Sequence, residues 1–362
     1  MLKCDILIVG AGPAGTQAAT EAAKHGLDVV VIEKQKSRKQ GIHRAEFIPK
    51  LLAREVKINS QSVAQEVSTM QTYMPNGECF EINSPGYILN RGVFDKELIA
   101  DAINGGAKIL TDTVCIAQRS KNVIAKSNGE EIKIYAKIII GADGPKSTVG
   151  KWIKSINTNF VYTLQCELPL TNRLNHTEIY FDYRFTGGYG WLFPRGRIAN
   201  VGIGISRRQE VSHTARMGSK EQDSNLRKLL EYFIGKLRSR GKIRGSTPIS
   251  MVGGLIPVGG PLTTVKENIM LVGDAAGQTH PITGAGILQA IVCGKIAGRV
   301  AAESIDHVSN LVTYEKEWRE LFGEELERAR TKRKLLDSHW DDLDQVMKKC
   351  WPIFKNYYDL GT

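Results

Sequence analysis

The sequence predicts an α/β protein: a Rossmann-like nucleotide-binding domain, an antiparallel β-sheet domain inserted into it, and a helical segment at the C-terminus. Three observations carry this prediction. An apolar strand runs into Gly10-Ala-Gly12-Pro-Ala14-Gly15 and then an Ala-rich stretch; two later apolar strands end in Asp143-Gly144 and Gly273-Asp274; and residues 156–263, between those two, change to short β-like runs. The expected boundaries are 1–155 and 264–308 for the two parts of the nucleotide-binding domain, 156–263 for the sheet domain and 309–362 for the helical segment.

Cys4-Asp-Ile-Leu-Ile-Val9 reads as a short buried strand, and the Ala-rich stretch that follows to His25 as a helix. Gly10 allows the tight turn between them, Gly12 lets the backbone approach a pyrophosphate, and Gly15 lets the helix pack closely on the sheet. The helix N-terminus, with Ala14, offers N–H groups to the anion. A second strand, residues 28–32, ends in Glu33. A carboxylate there can accept both ribose hydroxyls of an adenosine and would repel a 2′-phosphate, so NADP is disfavoured in this site. The other account of Glu33 is a solvated charge.

Residues 137–149 form a buried strand ending in an Asp-Gly turn, and residues 268–277 a strand ending in Gly-Asp. A carboxylate just past the end of an apolar strand, such as Asp274, lies where a parallel sheet presents polar groups to a ligand. Downstream, Gln278-Thr-His280-Pro281-Ile-Thr-Gly284-Ala285-Gly286 leads into an apolar helix carrying Leu288, Ile291, Val292 and Ile296. Pro281 or a residue shortly after it is the expected cap. Within the inserted domain, β-like runs fall at 160–168, 178–183, 191–194 and 198–206.

The composition, 42% hydrophobic and 24% charged over 362 residues, excludes disordered, collagenous and coiled-coil classes. A net charge of +11 suits an anionic partner. Two basic clusters stand out, Lys236 to Arg244 and Arg328 to Lys334; each either meets phosphate or is a solvated helix face. Six dispersed cysteines give neither a zinc-site spacing nor a disulfide framework, so no metal is expected. There is no signal-peptide pattern, no apolar run long enough to span a bilayer and no RNA-binding signature, so a cytoplasmic protein without a nucleic-acid partner is expected. The aromatic residues Trp340, Trp351, Phe354 and Tyr357 either pack against the nucleotide-binding domain or sit at a membrane surface as a peripheral contact.

The three glycine-rich segments, in this order over residues 1 to about 305, resemble the flavoprotein hydroxylase superfamily, in which they wrap one FAD. Tyr189-Gly-Trp191-Leu-Phe193-Pro194 followed by Gly202-Ile-Gly204, then Gly253 to Pro261, and Arg91 with Phe94 and Asp95, resemble the geranylgeranyl reductase family. That resemblance implies FAD as cofactor. It implies that Asp274 holds a ribityl hydroxyl, that Asp143 and Gly144 lie near the pyrophosphate, that Arg91 lies near the cofactor, and that Gly284, Ala285 and Gly286 give the isoalloxazine room. The sheet is expected to cover the flavin.

The implied activity is saturation of C=C bonds of polyprenyl chains, on a lipid or a diphosphate, by hydride transfer from reduced flavin. An unactivated alkene has no carbonyl to polarise, so positioning and water exclusion must supply much of the rate. Tyr189, His280 or a water would deliver the proton, with Trp191 at the reacting face; His280 is equally a structural histidine. Tyr183, Tyr189, Trp191 and Phe193, with Phe181, line an apolar tunnel for the chain or fill the core of the sheet. Many relatives carry a cysteine in the loop after the ribose-binding carboxylate, whereas residues 34–50 hold none. His43, Arg44 and Glu46 stand there instead, and Arg44 and Glu46 resemble the pair that flanks that cysteine and contacts FAD, unless they are surface residues. Gly150 replaces a frequent arginine. With no second GxGxxG, the electron donor stays open between ferredoxin and NAD(P)H. The rival activity is an FAD-dependent aromatic hydroxylase using NAD(P)H and O2.

Overall fold

The computed structural model describes residues 1–36, 47–206, 220–245 and 247–358. The chain divides into two compact units, one of Met1–Lys39, Asp95–Thr158 and Pro257–Arg330, the other of Gln40–Phe94, Asn159–Ile256 and Thr331–Thr362. The sheet unit is therefore larger than the 156–263 expected. It also takes in 40–94 and the end of the chain, so 309–362 is not a separate segment. The strands at 63–89 are half-exposed and carry little of the apolar run that marks a buried strand, which hides them in the sequence.

The first unit is built on a sheet in the order Val265–Lys266, Ile269–Leu271, Glu130–Gly141, Leu2–Val9, Val29–Ile32, Lys108–Leu110, with Thr113–Arg119 and Asn122–Ser127 paired beyond that path. The central strands are parallel, and their register fixes the site: Val9 lies opposite both Ile32 and Gly141, and Leu271 opposite Gly141. All four strands thus end at one edge. Helix Pro13–Ala23 packs on helix Ile287–Glu303 through small residues: a Cβ on Gly294 would lie 2.5 Å from the Ala14 carbonyl oxygen, and one on Gly298 2.2 Å from that of Ala18. The Ala-rich run therefore serves close helix contact as well as helix propensity.

The second unit holds an eight-stranded sheet in the order Met251–Pro257, Phe160–Pro169, Ile198–Ser206, Gly190–Arg195, His176–Tyr180, Val63–Tyr73, Cys79–Leu89, Phe47–Pro49. It is not purely antiparallel, because His176–Tyr180 runs parallel to Val63–Tyr73. Helix Lys220–Ser239 covers one face, where Leu230 and Phe233 join Leu192, Val201 and Ile203 in a buried cluster. Among the described residues no helix is long and apolar enough to cross a membrane.

Candidate flavin site and aromatic face

At the common edge of the first sheet, Gly10 adopts φ +106°, and a Cβ there would stand 2.3 Å from the Ala142 carbonyl oxygen, so the first and second turns touch. Gly15 closes on Gly10, at 1.9 Å from a Cβ to its carbonyl oxygen, whereas nothing lies within 4 Å of a Cβ on Gly12. Two of the motif's glycines are thus required by protein packing, and Gly12 faces open space. Gly12 is also the N-cap of the helix, with no side chain capping it and no acidic residue in the first turn, so the amides around Ala14 and Gly15 are left to an anion. Glu33 accepts the Ala11 N–H at 2.9 Å through Oε2 and the Gln35 N–H at 2.9 Å through Oε1, which fixes its carboxylate while leaving further lone pairs for hydroxyl donors.

The polar residues of the second and third turns are tied into the protein's own backbone and hydroxyl groups. Asp143 braces the start of helix Thr148–Trp152, whose N-cap is Ser147: its Oδ1 accepts the Ser147 hydroxyl at 2.5 Å and its Oδ2 the Thr148 amide at 2.6 Å and the Val149 amide at 3.2 Å. These bonds fix the turn that presents Gly144. A Cβ at Gly150 would meet the Ser155 carbonyl oxygen at 2.4 Å, so the backbone closes on itself there.

Asp274 accepts the Thr279 hydroxyl at 2.6 Å. Asn157, buried, donates through Nδ2 to the carbonyl oxygens of Pro145 at 3.2 Å and Asp274 at 2.8 Å, so one amide ties the second turn to the third. Gln278 accepts the Gly273 amide at 2.7 Å and donates to the Tyr314 hydroxyl at 3.0 Å, and Tyr314 donates to the Leu271 carbonyl at 2.9 Å. Sequence reasoning missed Asn157, Gln278, Thr279 and Tyr314. Only Gln278 and Thr279 stood beside a motif.

His280 is held in its loop through both ring nitrogens. Its Nδ1 accepts the amides of Ile282 at 3.3 Å and Thr283 at 3.2 Å, which places the proton of the neutral ring on Nε2, 3.1 Å from the Glu325 carboxylate. With the His280 amide bonded to the Ala285 carbonyl at 2.8 Å, the ring holds the loop that shapes Gly284, Ala285 and Gly286. The helix begins at Ile287 with Gly286 as its N-cap, so Pro281 lies in the turn and caps nothing.

In the second unit, Trp191 pairs with Gly202 across the sheet, and a Cβ on Gly202 would be 2.2 Å from the indole. The Gly202-Ile-Gly204 motif therefore gives the ring a flat bed, and Asn200 accepts its N–H at 2.9 Å. On the opposite face Gly190 makes room for Phe233, which a Cβ would meet at 2.8 Å. Strand alternation explains the aromatic-Gly-aromatic pattern: Gly190 and Leu192 face the covering helix, while Tyr189, Trp191 and Phe193 share the other face. Tyr189 lies 6.1 Å from Trp191, 6.0 Å from Phe181 and 5.5 Å from Trp351, ring centre to ring centre. Burial pushes the Tyr189 phenol up, so it stays protonated at neutral pH. Tyr183 is not in this group. The strand ends at Tyr180, and Tyr183 is 45% exposed with its hydroxyl donated to Asp344 at 3.1 Å. Trp351, assigned from sequence to the other domain or a membrane surface, is buried here, with its indole N–H on Thr72 at 3.3 Å.

A digeranylgeranylglycerophospholipid reductase from Methanothrix thermoacetophila is 34% identical to this chain, over 96% of it and 91% of that protein. One from Methanocaldococcus jannaschii is 32% identical over 93% and 88%. The chain belongs to the digeranylgeranylglycerophospholipid reductase family. A family model described as pyridine nucleotide-disulphide oxidoreductase matches residues 4–162 of this reductase. The crystal structure of a geranylgeranyl bacteriochlorophyll reductase-like protein from Thermoplasma acidophilum superposes with TM-score 0.83 at 28% identity, covering 97% of both chains. A flavin-dependent brominase, at TM-score 0.71 and 15% identity, shares the fold. The reductase is an FAD-binding oxidoreductase, and the open ground at Gly12, the uncapped helix amides and the fixed Glu33 carboxylate fit the cofactor's pyrophosphate and ribose.

Arg91 is buried at the start of helix Arg91–Asn104, while Arg44 lies outside the described residues with His43 and Glu46. The second basic cluster is largely neutralised on its own helix by Arg328 with Glu324 and Glu325, Arg330 with Glu327 and Arg333 with Asp337. All six cysteines are unpaired, and burial pushes the thiols of Cys115 and Cys166 up to about 12 and that of Cys350 to about 11, which removes them as acid–base groups at neutral pH.

Proposed function

We propose that this protein saturates C=C bonds of geranylgeranyl-type polyprenyl chains carried on a lipid or a diphosphate. The observation that carries this is the aromatic face of Tyr189, Trp191 and Phe193 in a chain whose full-length relatives are named for reducing such lipids. Reduced FAD, when bound, supplies a hydride to one alkene carbon. Gly12, Ala14, Gly15 and Glu33 would hold the adenosine and pyrophosphate, Gly144, Asp274 and the 284–286 turn the rest of the cofactor, and Asp143 their geometry.

Trp191 acts by shape: its N–H is committed to Asn200, so the indole offers a flat apolar wall that fixes the chain and excludes water. Tyr189 is the proton-bearing side chain on this face, since burial keeps its O–H and His280 has both nitrogens engaged. The electron donor, ferredoxin or NAD(P)H, and a peripheral contact with the membrane that holds the substrate complete the proposal.

The test is mass spectrometry of geranylgeranyl lipids after incubation with the dithionite-reduced enzyme. A gain of two hydrogens per saturated bond is expected. No gain, with substrate-stimulated oxygen uptake and a hydroxylated product under NADPH and air, would establish the aromatic hydroxylase instead.

A further inference from the structure

One end of the sheet unit gathers four stretches of chain. Backbone hydrogen bonds join Leu170 to Arg197 at 2.9 Å, Thr171 to Lys242 at 3.0 Å, Arg244 to Pro169 at 2.9 Å and Ile249 to Glu167 at 2.9 Å. Residues 170–174, 195–198, 238–244 and 247–251 are therefore neighbours. Together they carry seven basic residues and no carboxylate. Two of the seven turn inward onto buried carboxylates: Arg195 meets Glu167 at 2.7 Å and Lys242 meets Glu178 at 2.5 Å. The nearby acidic groups are thereby spent inside the unit, and the other five, Arg173, Arg197, Arg238, Arg240 and Arg244, are all exposed arginines. Beside them, on the edge of the sheet, Ile249 is 62% and Met251 42% exposed.

We infer that this end of the sheet unit is the surface on which the protein docks to an anionic lipid bilayer, the arginines on headgroup phosphates and Ile249 and Met251 in the interface. The inference rests on the polyprenyl-lipid reading above and assigns it a surface. Arginine forks pair with phosphate in two-point contacts, and juxtamembrane cations are drawn to an anionic leaflet within about a Debye length. Ile249 and Met251, exposed beside the arginines, have a use in a lipid interface and none against a nucleic-acid backbone. The first basic cluster thus has a use that the second, neutralised on its own helix, does not.

The experiment is co-sedimentation of the holoenzyme with vesicles of phosphatidylglycerol and phosphatidylcholine, against pure phosphatidylcholine vesicles, in low and high salt. Binding to the anionic vesicles, weakened by salt, is expected, with roughly fivefold loss for each arginine removed. Arg197→Glu with Arg244→Glu should therefore cost more than tenfold, and Ile249→Asp should weaken binding that survives high salt. Should that pair fail to fold, as judged by lost flavin absorbance, Arg173→Glu with Arg238→Glu carries the same expectation. Reduction of a detergent-dispersed substrate should be unchanged in these variants. Equal binding to both vesicle types, variants that bind like the parent, or RNA that displaces the anionic vesicles through the same arginines would overturn the inference. A protein that docks through this surface but reduces no polyprenyl chain would refute the proposed function alone.

Discussion

At the scale of single residues, Asn157 links the turns that follow two parallel strands. Replacing it with Leu removes two part-buried hydrogen bonds, to the Pro145 and Asp274 carbonyl oxygens, each worth about 0.5–1.5 kcal/mol. Asn157→Leu is expected to weaken FAD binding by roughly tenfold or more, measured by fluorescence titration of the apoprotein; unchanged affinity would show that the two turns hold without it. Gly12→Val separates packing from ligand contact. The added side chain has open space, so the apoprotein should melt as the parent does, while FAD retention is lost because the pyrophosphate's approach is blocked. Trp191→Ala should keep the flavin spectrum and lose substrate reduction, with destabilisation of about 3–5 kcal/mol for a buried Trp deletion. Full activity in that variant would remove the aromatic face from the site.

At the scale of elements, the two helices that meet at Gly294 and Gly298 hold the first turn in place, since Gly12 caps one of them. Gly298→Leu must push them apart against backbone, and overpacking of this kind costs about 1–3 kcal/mol; calorimetry should show it, together with weaker FAD binding. In the sheet unit, Asp182 accepts from the Arg184 amide at 3.1 Å, the Tyr232 hydroxyl at 2.9 Å and Lys236 at 2.9 Å. Burial alone would raise its carboxyl, but the Lys236 ammonium and these donors outweigh burial and hold it below the usual carboxylate range. A lowered value in the fold gives a stabilisation that is full above about pH 4, the unfolded value, and is lost as pH falls through the folded one. Melting temperatures taken downward from pH 6 should fall less steeply for Asp182→Asn than for the parent; parallel curves would refute the assignment.

At the scale of the whole molecule, two units with separate buried cores are built from one interleaved chain. Of the six cysteines only Cys79 is exposed, so a maleimide at neutral pH should label one thiol quickly in the native protein and all six after denaturation. Fast labelling of any of the four buried thiols, Cys4, Cys166, Cys293 or Cys350, would show that a core opens more readily than its packing implies. Local chemistry determined the centre of the first unit: a strand, a glycine-rich turn and a helix are adjacent in sequence, and apolar β-branched runs mark its parallel strands. Glu33, Asp274 and the Tyr189-to-Gly204 pattern were likewise marked by short spacings. Tertiary structure decided the rest. Asn157, Tyr314 and Trp351 act through contacts across 117, 43 and 279 positions, which no periodicity encodes. Asp143 and His280 were candidates by position, and only the fold shows that one braces the start of helix Thr148–Trp152 and the other its own loop. A polar side chain's role is set by which hydrogen bonds are left to it after folding, and that remainder exists only once distant segments have met.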